Sequence, residues 1–130
     1  EVYPRIKIVA VEPKGSVTFG GGPGKRYIPG LGTSVRPKIA DFADPDRIIA
    51  VDEQTTVKMC LSFAHDYQLL VGGSTGTVLA AVKATAADFL PGETIVAISP
   101  DMGDQYLDTV YNTKWVEKYI SASANASSES

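Results

Sequence analysis

The sequence predicts an α/β fold, a parallel sheet with flanking helices, and three observations carry that prediction. Apolar runs rich in β-branched residues recur at residues 6–11, 47–51, 69–71 and 94–98, and hydrophobicity that is continuous rather than alternating marks strands buried on both faces. Helical patterns over residues 53–67 and 75–89 separate the later runs, and strands that alternate with helices belong to parallel sheets. The third run enters a glycine-rich, hydroxyl-bearing turn, Gly72-Gly73-Ser74-Thr75-Gly76-Thr77, that opens an Ala-rich helix.

The first strand, Ile6-Lys7-Ile8-Val9-Ala10-Val11, ends at Pro13 and leads into a long irregular segment from Lys14 to Arg36 containing Gly20-Gly21-Gly22-Pro23-Gly24. Loops of that length without periodic structure are either functional or disordered, and the internal Tyr27-Ile28-Pro29-Gly30-Leu31-Gly32 is too apolar for a simple linker. The second strand is Arg47–Val51. Asp52 is placed to cap the helix that follows to about Tyr67, with Val57, Cys60, Leu61 and Ala64 on one face. Pro91-Gly92 stops the next helix, and Thr94–Ile98 is the fourth strand. It ends at Ser99-Pro100-Asp101-Met102-Gly103-Asp104, and residues 105–111 and 114–120 read as short amphipathic helices. Residues 1–120 form one folded part, and the small polar residues 121–130 a disordered tail.

Composition narrows the function. A 130-residue chain with 44% hydrophobic and 21% charged residues suits one soluble unit. A net charge of −3, with no basic cluster, excludes nucleic acid and anionic membranes as expected partners. No run approaches the length that spans a bilayer, and the first residues lack the charged-then-apolar pattern expected of a secretory signal. One cysteine, Cys60, excludes an intrachain disulfide, and one histidine, His65, leaves no metal cluster, so a cytoplasmic protein without a bound metal is expected. Asn125-Ala126-Ser127 has the form of a glycosylation sequon but carries no weight in such a chain. Cys60 reads as core. His65, near a helix C-terminus, reads as a surface residue complementing the helix dipole. Glu1 opens the chain without Met and a strand follows at once, which suggests a piece of something longer.

The turn at residues 72–77 is the binding-site candidate. Gly72 and Gly73 permit close backbone approach to a ligand, and Ser74 or Thr75 either caps the helix or hydrogen-bonds that ligand. The turn is not a Walker A loop, because Thr77 and Val78 follow Gly76 where Lys and Ser or Thr would stand. In a parallel sheet, ligands bind beyond the carboxyl ends of the strands, and this places the turn on the same rim as residues 99–104.

Four motifs in order complete the reading: Val11-Glu12-Pro13, Pro29-Gly30-Leu31-Gly32, Gly72-Gly73-Ser74-Thr75-Gly76-Thr77, and Ser99-Pro100-Asp101-Met102-Gly103-Asp104-Gln105-Tyr106-Leu107. They resemble the C-terminal part of the fold-type II pyridoxal-phosphate enzymes, the cysteine synthase and cystathionine β-synthase group with a tryptophan synthase β-like fold. Lys14–Gly20, residues 26–34 and Tyr106–Tyr111 look most like the siderophore-pathway synthase of 2,3-diaminopropionate biosynthesis. The resemblance implies pyridoxal 5'-phosphate as cofactor, O-phospho-L-serine and L-glutamate as substrates, a homodimer, and the N-terminal remainder of the same enzyme as the part this chain works with. It implies that Ser74 hydrogen-bonds the pyridine nitrogen with Gly73 beside it, that Pro100 and Asp101 pack at the ring edge, and that Gly30, Leu31 and Gly32 line the cleft. Asp101 could equally cap the short helix after it. Trp115 resembles a packing position. A neutral serine at the ring nitrogen would leave it largely unprotonated. None of the eight lysines lies in the family's Schiff-base motif, so no catalytic residue is assigned to this chain. A cysteine or cystathionine synthase using a thiol, and a noncatalytic α/β binding domain, remain the alternatives.

Overall fold

In the computed structural model, which describes residues 5–122, Val9–Pro13 (β1) and Arg47–Val51 (β2) pair in parallel, with Val9 opposite Arg47 and Pro13 opposite Val51. Both strands are β-branched and apolar, and their side chains alternate across the pleat. Val11, Ile49 and Val51 meet Ala80, Ala81 and Met59 in one core cluster. Ile48, next to Ile49 and so on the opposite face of the pleat, is 47% exposed. On that same face Ala50 is exposed too, whereas Glu12 is buried, so the described residues cover this face only at its Glu12 end.

Glu53–Tyr67 forms α1. Its N-cap is Asp52, whose carboxylate accepts from the Thr55 amide at 2.8 Å, as the sequence predicts. It ends where Gln68 turns left-handed (φ 56°) and returns its amide to the Ala64 carbonyl. Thr56, Val57 and Cys60 are buried, whereas Leu61 is 45% exposed and leaves the expected face. His65 is on the surface beside Asp66, and Cys60 is fully buried, as expected of each.

Gly73–Thr85 forms α2, shorter than the predicted 75–89 because residues 86–88 tighten into a 3₁₀ turn. Helices α1 and α2 pack directly. A Cβ on Gly76 would lie 2.3 Å from Cys60 Sγ and 3.0 Å from the Thr56 carbonyl oxygen, so the absence of a side chain sets the helix separation. One turn along, Thr56 Oγ1 and Thr77 Oγ1 share a buried hydrogen bond of 2.8 Å, and the Thr77 hydroxyl also donates to the Gly73 carbonyl.

Two predicted strands are not formed. The third reduces to one antiparallel bridge between Val71 and Met102. The Val71 amide donates to Tyr111 Oη at 2.9 Å and that hydroxyl donates to the Val71 carbonyl at 2.6 Å, so one phenol replaces a neighbouring strand. The fourth, residues 94–98, is irregular, with Val96 84% and Ile98 76% exposed. A strand exists only by pairing, and none of the described residues pairs with this one. The region after it also differs in detail. Gly103–Tyr106 is a 3₁₀ turn, and Thr113–Val116 (α3) runs into a π-helical turn over Glu117–Ser121. Most of the tail expected over residues 121–130 lies outside the described residues.

The long loop is anchored at both sides. The Glu53 carboxylate accepts from the Tyr27 and Ile28 amides at 2.7–2.9 Å. Ile28 is buried in the main core with Val57, Cys60, Val71, Val110 and Ile120, and Tyr27 stacks on Tyr119, which in turn meets Trp115. Trp115 is thus a packing residue, as the sequence implies.

Gly76→Ala is expected to destabilise the full-length protein by about 1–3 kcal/mol through overpacking against α1. Adding Cys60→Ala should recover only part of that, because the Thr56 carbonyl still stands in the way; urea unfolding midpoints of the single and double variants measure both.

Candidate functional site

The start of α2 is where three segments meet. Gly72 is the N-cap, in extended backbone (φ −68°, ψ 162°) and with no side-chain cap bond, so neither Ser74 nor Thr75 caps this helix. Their hydroxyls are left for other partners. Thr75 Oγ1 shares a 2.8 Å hydrogen bond with Ser99 Oγ. The half-buried Ser74 donates to Asp101 Oδ1 at 3.3 Å.

Asp101 belongs to this cluster and is no helix cap. The N-cap of the following 3₁₀ turn is Met102, which makes no side-chain cap bond. The Asp101 carbonyl accepts from the Gly72 amide at 3.1 Å, and the Leu70 carbonyl accepts from the Gly103 amide at 3.0 Å, tying the two turns together through the backbone. Its carboxylate lies over Gly72, where a Cβ would come within 1.9 Å of Oδ1. The second carboxylate oxygen accepts from Tyr106 Oη at 2.6 Å. That hydrogen bond, helped by partial burial, pushes the Tyr106 hydroxyl up to about 12. Pro100 is exposed beside it.

The other expected residues lie on the loop. Gly30 and Gly32 both have positive φ (71° and 72°), conformations that favour glycine. Gly32 is pressed against Pro13 and Ser16, Leu31 is half-buried against the main core, and the Leu31 carbonyl accepts from Arg26 Nε. The loop reaches the α2 start through Ile28, whose Cγ2 would be 2.7 Å from a Cβ on Gly73. Ser74, Gly73 and Asp101 are thus brought together. Gly30, Leu31 and Gly32 stand two to four residues along from that contact.

Sequence reasoning missed Glu53, which seats the loop, and Tyr106 and Tyr111, which hold Asp101 and Val71. Tyr106 is in a quoted motif, but its partner follows only from the 3₁₀ turn that folds it back onto Asp101.

Residues 1–101 match the family model described as pyridoxal-phosphate dependent enzyme. The chain belongs to that family. Among solved structures, it is similar to an O-acetylserine dependent cystathionine β-synthase from Helicobacter pylori (31% identity, TM-score 0.75, covering 84% of this chain and 36% of that one). It is also similar to an O-ureido-L-serine synthase (25%, TM-score 0.77, covering 86% and 36%). A hydrogen sulfide-producing enzyme from Fusobacterium nucleatum matches too (31%, TM-score 0.70, covering 80% and 36%). The chain spans little more than a third of the length of these structures.

Pyridoxal phosphate is the cofactor of this family, and the side chains present fit one end of it. Gly72 and Gly73 have no side chains beside Ser74, and the space this leaves is taken by the Asp101 carboxylate and by Ile28, which pack the turn closely under the Ser74 hydroxyl. The hydroxyl of Ser74 suits the single polar atom at a pyridine edge. The Asp101 carboxylate already stands at the head of α2, where it would repel a phosphate, so the cluster suits the ring edge and not the phosphate. Among the described residues no group of three His, Cys, Asp or Glu side chains could hold a metal ion. No described helix is long and apolar enough to cross a membrane.

Burial pushes the Cys60 thiol up to about 11, and its Sγ faces the Gly72 carbonyl at 3.7 Å. Thiolate is the reactive form, so iodoacetamide at pH 8 should alkylate Cys60 roughly a hundredfold more slowly in the native protein than in denaturant, read by mass spectrometry of the Cys60 peptide.

Proposed function

We propose that the full-length protein containing this chain is a β-replacement synthase that joins O-phospho-L-serine to L-glutamate, giving N-(1-amino-1-carboxy-2-ethyl)-glutamate for a siderophore 2,3-diaminopropionate unit. In the overall reaction the bond from the serine β-carbon to the phosphate oxygen breaks. Phosphate leaves with the electron pair, a bond forms from the glutamate nitrogen, and that nitrogen releases a proton. Pyridoxal phosphate, when bound, supplies the electron sink that lowers the cost of removing the serine α-proton.

The observation that carries the reading is the half-buried hydroxyl of Ser74 in the first turn of α2, beside Asp101. In this proposal Ser74 and Gly73 meet the ring edge, Pro100 and Asp101 flank it, and Gly30, Leu31 and Gly32 line the cleft. The Gly72–Asp101 and Gly103–Leu70 backbone bonds keep the two turns in register, and Glu53 keeps the loop down on α1. The Schiff-base lysine that takes the α-proton is assigned to a part of the enzyme outside these 130 residues, which alone are expected to be inactive. The preference for an amine nucleophile rests on the resemblance of Lys14–Gly20, residues 26–34 and Tyr106–Tyr111 to the siderophore-pathway synthase.

A second reading, a thiol nucleophile, is favoured by the names of the matched structures, one a cystathionine β-synthase and one a hydrogen sulfide-producing enzyme. Mass analysis of products from the cofactor-loaded full-length protein with O-phosphoserine and either glutamate or sulfide decides between them. A glutamate adduct with phosphate release is expected. Cysteine formation without the adduct would transfer the assignment to the thiol class, and a protein that binds no cofactor would be a noncatalytic α/β domain.

Ser74→Ala in the full-length protein should weaken cofactor binding or slow turnover about tenfold, the scale of one lost hydrogen bond. Equilibrium titration with pyridoxal phosphate and steady-state kinetics measure the two effects, and wild-type values in both would remove Ser74 from the site.

A further inference from the structure

Residues 13–40 hold Lys14, Lys25, Arg26, Arg36 and Lys38 and no Asp or Glu, in a chain whose net charge is −3. The fold neutralises two of these cations, since Lys14 lies 3.8 Å from Asp52 and Arg36 3.0 Å from Asp41. Lys25 and Lys38 are exposed, where water and salt screen them. Arg26 is half-buried, and among the described residues no carboxylate comes within ion-pair distance of it.

Neutral acceptors hold the Arg26 guanidinium instead. Nε donates to the Leu31 carbonyl at 3.3 Å, Nη1 to the Gly15 carbonyl and to the Gly24 carbonyl at 3.3 Å, and Nη2 to Ser34 Oγ at 2.9 Å. These contacts fix the group across the loop where Gly15 and Gly24 already touch, the Gly24 amide donating to the Gly15 carbonyl at 3.1 Å. Glu53 seats the next two residues, but its carboxylate is taken up by the Tyr27 and Ile28 amides. A guanidinium has five N–H groups, and Nη2 bonds only Ser34 among the described residues, so one N–H is left over beside a positive charge that no carboxylate balances. A partly desolvated charge without a counter-ion is costly, and a planar guanidinium held in place is the side chain best suited to carboxylates and phosphates.

Resting on the reading that Gly30, Leu31 and Gly32 line the cleft, we propose that Arg26 is a specificity-determining residue that recognises an anionic oxygen group of a substrate through its remaining N–H and its unbalanced charge. The hydrogen bonds to Leu31 and Ser34 put that charge at the cleft-lining turn. Both substrates of the proposed reaction carry such a group, the phosphate of O-phospho-L-serine and the side-chain carboxylate of L-glutamate. O-acetyl-L-serine and L-glutamine are the matching molecules without it. Lys25 and Lys38 add to the positive field that draws an anion to the loop.

The test is steady-state kinetics of the full-length protein loaded with pyridoxal phosphate, on two pairs: L-glutamate against L-glutamine, and O-phospho-L-serine against O-acetyl-L-serine. For a pair member that is not turned over, its inhibition constant takes the place of kcat/KM. In Arg26→Gln the charged member of one pair should lose about tenfold or more, through KM, while its uncharged counterpart stays within about twofold. The pair affected identifies the group recognised. Arg26→Lys keeps the charge and should recover part of the discrimination. In the wild-type enzyme, added potassium chloride should weaken the charged member selectively. Charged and uncharged members that fall together in Arg26→Gln, values unchanged in both, or an equal salt response of the two in the wild type, overturn the inference and leave Arg26 a loop staple while the synthase reading stands. A loaded protein that joins neither serine ester to any nucleophile overturns that reading itself.

Discussion

The first turn of α2 touches three other parts of the chain because residues 72, 73 and 76 have no side chains there. Asp101 occupies the space over Gly72, Ile28 the space beside Gly73, and Cys60 with the Thr56 carbonyl the space against Gly76. Each contact brings in a different element: the turn after residues 94–98, the long loop, and α1. A methyl group at any one would meet an atom within 2.7 Å, well inside van der Waals contact. The three glycines are required by close approach rather than by backbone conformation, since none of them has positive φ. The site and the core are thus the same packing problem viewed from two sides, with Ser74 on the open side and Cys60 on the closed one.

Elements that close on themselves were legible in the sequence. Asp52 announces α1 by its capping chemistry and the helix ends where expected; of the two early apolar runs, 47–51 is a strand as expected, whereas the one expected over 6–11 pairs instead over Val9–Pro13, where β2 lies alongside it. Elements that depend on a distant neighbour were not. Residues 94–98 have strand composition, but a strand's stability comes from its pairing, and the described residues offer none. The matched structures are nearly three times as long as the part this chain covers, and Val96 and Ile98, apolar but unpaired among the described residues, stay exposed.

The candidate site divides in the same way. Ser74 could be singled out because a hydroxyl on a glycine turn after an apolar run is a local pattern. Its partner could not be deduced from spacing, because Asp101 is 27 residues away and reaches Ser74 only after the Val71–Met102 bridge forms. Tyr111 makes that bridge possible by satisfying both backbone groups of Val71. Glu53 was hidden for a simpler reason: an acidic residue in the first turn of a helix is ordinary dipole complementarity, and only the fold shows that its carboxylate also caps the Tyr27 and Ile28 amides.

Electrostatics gives the turn its direction. A helix N-terminus favours an anion, and in a glycine-rich turn that position would ordinarily be read as a phosphate cradle. Here the protein supplies its own anion, since Asp101 stands at the head of α2 with its backbone carbonyl on the Gly72 amide and its carboxylate on Ser74 and Tyr106. A second anion there would meet a carboxylate already in place, with two phenols and a thiol around it that stay neutral at physiological pH. The head of α2 is therefore already occupied by a carboxylate of the chain itself and is a poor cradle for a phosphate oxygen.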